Sequence, residues 1–192
     1  MIDAAKPFVE VRDLKRVFDV SKPWLNRVLE GAPRQLLKAV DGVSFDIIKG
    51  ETFALVGESG SGKSTVARMV VGLLPPSGGG VAIDGVSMSS LAHRTERQKL
   101  RRRIQMIFQD PYASLNPRWR VDRIVSEPIR AFSLIEGEAE IAARVGQLLS
   151  HVGLHPGDGI KFPHEFSGGQ RQRIAIARAL ASDAEFIVCD EP

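Results

Sequence analysis

Gly57-Glu58-Ser59-Gly60-Ser61-Gly62-Lys63-Ser64-Thr65 decides the fold. It fits G-x-x-x-x-G-K-[ST], the pattern of a phosphate-binding loop between a strand and a helix. Its flanks suit that setting. Thr52-Phe53-Ala54-Leu55-Val56 is a short apolar run expected to form a buried strand, and Val66 to Leu74 reads as an apolar helix closed by Pro75-Pro76. The chemistry asks for these residue types. Glycines at 57, 60 and 62 let the backbone turn tightly and approach an anion with no Cβ in the way. The amides of Glu58, Ser59 and Ser61 join theirs in a nest, which the positive end of the following helix reinforces. Lys63 supplies a point charge for the β- and γ-phosphates, and Ser64 a hydroxyl for Mg²⁺. A dinucleotide-binding loop fits less well, because its third glycine would fall where Thr65 stands. The stretch therefore predicts a nucleoside triphosphate site.

The totals set the frame. A chain of 192 residues with 43% apolar and 26% charged residues can build one sizeable core, with room for a subdomain. No apolar run approaches the roughly 18 residues of a membrane-spanning helix, and the first residues carry no signal-peptide core. The single cysteine, Cys189, rules out an internal disulfide, fits a cytoplasmic setting, and is expected to be a packed strand residue. The net charge of +3 is local: residues 94–103 hold six Lys/Arg against one Glu, and the remainder has slightly more acids than bases. With no basic field over the whole chain, a nucleic-acid partner is disfavoured; the cluster reads as a solvated helix face.

Along the chain, residues 8–12 alternate as an edge strand, 21–37 read as a loop or insertion, and 40–48 alternate again. Gly78-Gly79-Gly80 is expected to be a flexible turn before a short strand at 81–85. A charged helix is predicted from Leu91 to Arg103 and a strand over 104–108. Prolines 111, 117 and 128 punctuate a mostly helical segment that includes a helix over 138–152. A long helix over 167–181, N-capped by Ser167, leads to a last strand at 185–189.

Two further motifs carry chemistry. Phe186-Ile187-Val188-Cys189-Asp190-Glu191 is a buried-strand run ending in two acids, which such a strand presents at the carboxyl edge of the sheet. One acid can hold Mg²⁺ and the next can take a proton from an attacking water. Alone the pattern is common; beside a phosphate loop it gains meaning. In Phe166-Ser167-Gly168-Gly169-Gln170-Arg171, a hydroxyl and glycine amides again meet a helix start. One nucleotide needs only the first such start, so the second is open to another subunit's nucleotide.

Together these motifs resemble the ATP-binding subunits of ABC transporters. Phe166-Ser167-Gly168-Gly169-Gln170 is similar to the family signature, with Phe where Leu is commonest. Gln109, after Ile104-Gln105-Met106-Ile107-Phe108, matches the Q-loop, and Phe18 matches the aromatic that stacks on adenine, with Trp24 as a rival. Ala39-Val40-Asp41-Gly42-Val43-Ser44-Phe45, Ser114-Leu115-Asn116-Pro117 and Pro163-His164-Glu165 resemble the oligopeptide/dipeptide (and nickel) importer branch.

The resemblance implies an α/β P-loop NTPase core with a mixed sheet and an antiparallel β-subdomain over residues 1–110. A helical subdomain over 111–165 would be followed by the signature helix and terminal strand over 166–192. It implies Mg-ATP as cofactor, Thr65 on the α-phosphate, Gln109 on Mg²⁺ and the attacking water, Asp190 on the metal through water, and Glu191 as general base. Ser167, Gly168, Gly169 and Gln170 would contact ATP held by a second ATP-binding subunit. Transmembrane permease subunits at the cytoplasmic face of the membrane, and indirectly a solute-binding protein, complete the expected assembly. Family members continue past the position of Pro192 with a D-loop and a switch histidine, so the resemblance implies a C-terminally incomplete domain. Such a fragment would bind nucleotide and hydrolyse it poorly. A DNA-repair ABC ATPase fits less well, because no coiled-coil or zinc-bearing insertion separates Lys63 from Ser167.

Overall fold

A computed structural model describes residues 6–31, 33–90 and 93–191. The chain divides into two compact units, Met1–His93 and Arg94–Pro192. The α/β class expected from the sequence is the class observed.

The first unit is built on an antiparallel sheet. Strand β1 (Pro7–Asp19) leads to a short helix α1 (Trp24–Glu30), and β2 (Leu36–Ile48) returns alongside β1. After the phosphate loop comes α2 (Lys63–Val70), then β3 (Gly78–Ile83) and β4 (Val86–Ser87), giving the order β2-β1-β3-β4. Val9, Val11 and Leu14 of β1 are fully buried. Their strand is therefore an inner one, not the edge strand the alternation suggested: it pairs with β2 on one side and β3 on the other.

Three other expectations are corrected here. Gly78 to Gly80 form the start of β3 rather than a free turn. Gly79, at φ +70, lies where an added Cβ would meet the Asp13 carbonyl oxygen at 2.1 Å, so glycine is what lets this strand cross the irregularity in β1. The insertion over 21–37 contains α1. Lastly, residues 52–56 form no strand. A ladder needs a partner, and the described strands of this unit pair among themselves, so Val56 is 89% exposed and Phe53 instead stacks on Phe45 at 4.8 Å. The helix after the loop stops at Val70, short of the expected Leu74, because Gly72 at φ +72 turns the chain and the Leu73 and Leu74 amides fold back onto the Arg68 carbonyl.

The second unit opens with α3 (Arg94–Arg103), the charged helix; residues 91 and 92, where it was expected to begin, lie outside the described residues. It runs into β5 (Ile104–Ile107) and a one-turn helix α4 (Pro111–Ser114), whose Asp110 cap accepts from the Tyr112 amide at 2.8 Å. Helices α5 (Val121–Ala131) and α6 (Glu138–His151) follow, then two 3-10 turns, Pro156–Ile160 and Pro163–Glu165. Helix α7 (Gly168–Leu180) and β6 (Phe186–Cys189), parallel to β5, complete the unit. Its core gathers Val121, Val125, Leu148, Leu149 and Ile174, with Phe166 packed among them. Apolar residues at helical spacing on α5, α6 and α7 converge there, the usual way such helices bury one face. Cys189, expected to pack, is exposed, because β5 is the only described neighbour of β6. Partial burial still pushes its thiol above the ordinary pKa, away from thiolate reactivity.

Candidate functional site

In the first unit the predicted phosphate loop is an exposed turn leading into α2. Gly60 and Gly62 both take positive φ, +80 and +96, and Gly62 caps the helix that Lys63 begins. The Lys63 ammonium folds back over the loop, donating to the Gly57 and Glu58 carbonyls at 2.8 and 2.7 Å. The Ser61 amide donates to the Glu58 carbonyl at 3.2 Å, closing the turn. Ser64 and Thr65 occupy the next positions of the first helical turn, half-buried, and Ser59 lies exposed on the loop. The loop thus sets one cation, Lys63, and the first-turn amides of α2 at the same helix N-terminus, an arrangement whose chemistry suits an anion.

Phe18 sits near the end of β1, opposite Leu37 of β2. One face of its ring is covered by Arg16, whose guanidinium carbon lies 4.6 Å from the ring centroid. The rival aromatic, Trp24, is exposed on α1. The sequence reading missed Arg16, although two residues apart on a strand is the spacing at which side chains share a face.

The second unit brings Gln109 and Glu191 together. Parallel pairing matches Ile107 with Cys189, so the residues two places beyond each strand end meet: the Gln109 side-chain amide donates to the Glu191 carboxylate. Both side chains are exposed, and Glu191 holds a left-handed φ of +50, a costly conformation for a non-glycine residue. Asp190, the residue before Glu191, is buried, and its amide donates to the Ile107 carbonyl at 3.0 Å.

Ser167 caps α7 as expected. Its hydroxyl accepts from the Gln170 amide at 3.3 Å, while the Gln170 side chain accepts from the Ser167 amide at 2.9 Å. Gly168 and Gly169 are exposed with open space where a Cβ would stand, and as first-turn residues their amides lack intrahelical acceptors. Phe166 turns inward to the core, which explains an apolar residue just before the cap.

A feature without a sequence signal holds α4 to α7. Buried Arg171 lies over the Tyr112 ring at 3.6 Å, hydrogen-bonds its hydroxyl, and donates to the Pro163 carbonyl at 3.1 Å. Two helical turns later, Arg178 donates to the Ser114 carbonyl at 2.6 Å, and burial pushes its guanidinium pKa down. The segment just after Gln109 is thereby tied to the signature helix. A cavity of about 360 Å³ lies elsewhere, lined by Asp122, Ser126, Arg130 and Glu138 among others. Arg130 and Glu138 already pair there at 2.5 Å, and none of the predicted site residues lines it.

Among the described residues, no cluster of three or more His, Cys, Asp or Glu side chains could hold a metal by itself. No helix among the described residues is long and apolar enough to cross a membrane.

Comparison with known proteins gives the family. The family described as ABC transporter matches residues 40–192. The oligopeptide transport ATP-binding protein OppF of Bacillus subtilis (strain 168) is 51% identical over 160 residues, covering 83% of this chain and 52% of its own. The glutathione import ATP-binding protein GsiA of Escherichia coli O6:H1 is 48% identical over 186 residues, 97% of this chain and 29% of its own. Among solved structures, the ATP-binding cassette MJ0796, captured as a post-hydrolysis dimer with ADP and phosphate, superposes with a TM-score of 0.81 at 28% identity. That match covers 95% of this chain and 73% of that one. The chain spans about half the length of most of the curated relatives it matches.

Proposed function

The chain belongs to the ABC transporter family, a nucleotide-binding family, and from that premise we propose that it is the ATP-hydrolysing part of a peptide importer. The observation that carries the reading is the meeting of Gln109 and Glu191 at the ends of paired parallel strands, in a chain whose residues 57–65 also fit the phosphate-loop pattern. In this reading residues 57–65 grip the triphosphate: the loop amides and Lys63 hold the β- and γ-phosphates, and Thr65 reaches the α-phosphate. Phe18 stacks on the base. Glu191 takes the proton of the attacking water, and Gln109 orients that water. Ser64 of the first unit and Gln109 and Asp190 of the second carry oxygens of the kind that would hold Mg²⁺, which would supply charge neutralisation on the phosphate oxygens. Catalysis is then mostly positioning and electrostatic stabilisation, as expected for phosphoryl transfer.

Ser167, Gly168, Gly169 and Gln170 offer their helix start to the nucleotide of a second ATP-binding subunit. Such a subunit works against permeases at the cytoplasmic face of the membrane, with a solute-binding protein delivering the cargo. Relatives named for oligopeptide transport and glutathione import support a peptide cargo. The decisive measurement compares Glu191→Gln with its parent in the assembled transporter. Hydrolysis should fall by two orders of magnitude or more, in line with the usual worth of a positioned general base, while Mg-ATP binding persists. Equal rates would remove Glu191 from the mechanism.

A further inference from the structure

Arg16 is a cation that the functional reading leaves without a task. It lies half-buried in β1, and no carboxylate partner is found for it among the described residues. Its Nε is buried without a hydrogen-bond partner. Two contacts hold it instead. The guanidinium carbon stands 4.6 Å from the Phe18 ring centroid, and Nη1 donates to the Pro75 carbonyl at 2.8 Å. Pro75 follows the helix that Lys63 begins. Two neighbouring bonds strengthen the same tie: the Ser77 amide donates to the Lys15 carbonyl at 2.7 Å, and the Val17 amide to the Ser77 hydroxyl at 3.1 Å. Strand β1 near Phe18 and the chain leaving α2 therefore form one braced frame.

We propose that Arg16 is a positioning residue for nucleoside recognition: it backs one face of Phe18, fixes that ring relative to the phosphate-loop helix through Pro75, and leaves the opposite face to stack on a purine base. The inference rests on the reading of residues 57–65 as a triphosphate site. Its physical basis is preorganisation. A ring already immobilised loses little rotational freedom when a base lands on it, and a cation over the far face adds its own attraction for the ring. The energetic consequence falls on the base alone, because Arg16 is not asked to touch a phosphate. Arg16 thus governs how far this site prefers a nucleotide over a bare polyphosphate.

The test is calorimetric binding of Mg-ATP and of Mg-triphosphate (inorganic, without a base) to the purified chain and its variants. Arg16→Gln should weaken ATP about two- to fivefold, the usual range for a cation–ring contact, and leave triphosphate affinity unchanged. Arg16→Lys, which keeps the charge, should restore most of the loss. In a Phe18→Ala background, Arg16→Gln should have no further effect on ATP. Equal losses for both ligands, an unchanged ATP affinity, or a full effect without the Phe18 ring would each overturn the assignment. A parent chain that binds neither ligand would instead overturn the triphosphate site, and this inference with it.

Discussion

Gly60 and Gly62 both sit in left-handed backbone, yet alanine should affect them very differently. At Gly60 (φ +80) an added Cβ meets nothing within 4 Å; at Gly62 (φ +96) it would stand 2.3 Å from the Ala39 carbonyl oxygen and 3.5 Å from the Val40 side chain. Gly60→Ala therefore costs only the left-handed strain, about 1 to 2 kcal/mol, partly offset by about 0.4 to 1 kcal/mol from a less flexible unfolded chain. Gly62→Ala bears the same strain plus a collision with β2 backbone, which cannot rotate away as a side chain would. Overpacking of that kind costs about 1 to 3 kcal/mol more, so the second variant should be less stable by roughly 2 kcal/mol. Because the loop must move to relieve the clash, triphosphate affinity should drop at least about tenfold for Gly62→Ala, the equivalent of about 1.4 kcal/mol. Urea unfolding and calorimetric titration with Mg-ATP, run on both variants, give the two readings. Equal destabilisation, or a Gly62→Ala chain that binds like its parent, would refute the close approach of Ala39 as the reason for glycine here.

Ser167→Ala should cost about 1 kcal/mol by removing the cap of α7. Ser167→Asp should keep that stability while repelling a partner's triphosphate, so ATP-driven dimerisation followed by sedimentation should fail for Ser167→Asp although its unfolding midpoint is preserved. Ile174→Ala, at a fully buried position of the second unit's core, should lower stability by about 2 to 5 kcal/mol in urea unfolding followed by circular dichroism. Asp158 accepts from Lys161 at 2.7 Å and from the His155 amide, and these bonds, the Lys161 bond foremost, hold its pKa below the ordinary 3.8. Its stabilisation is thus complete above that value and fades as pH falls through the lower folded-state value. The stability gap between Asp158→Asn and its parent should accordingly shrink on acidification, and a gap that widened would reverse the assigned sign.

What could be read in advance follows how locally each feature is determined. The phosphate loop and the capping box of Ser167 and Gln170 each depend on residues within eight positions of one another, so composition and order suffice to announce them. Helix α6 was visible from its amphipathic pattern and α7 from its Ser167 cap, whereas α5 was foreseen only as part of a mostly helical segment. The strand over 52–56 was expected from an apolar run alone. A strand also requires a neighbour to accept its backbone bonds, and the sequence does not name neighbours. Gly78 to Gly80 deceived in the opposite direction: three glycines read as a turn, but pairing with β1 makes them a strand. The interior place of β1 escaped for the same reason, since alternation reveals a buried face and not the number of flanking strands.

By itself, the order of residues determined that glycines and Lys63 would stand where a loop enters a helix, that a second helix start would carry Ser167 and two glycines, and that two acids would end the last strand. Those are chemical facts about short segments. Only the tertiary structure decided that Gln109 and Glu191, 82 positions apart, would share a hydrogen bond, because the register of β5 against β6 places them side by side. It alone decided that Arg16 would lie between Phe18 and Pro75, 59 residues further on. Contacts between distant segments arise from strand pairing and packing of whole elements, and those are properties of the folded chain rather than of any window within it.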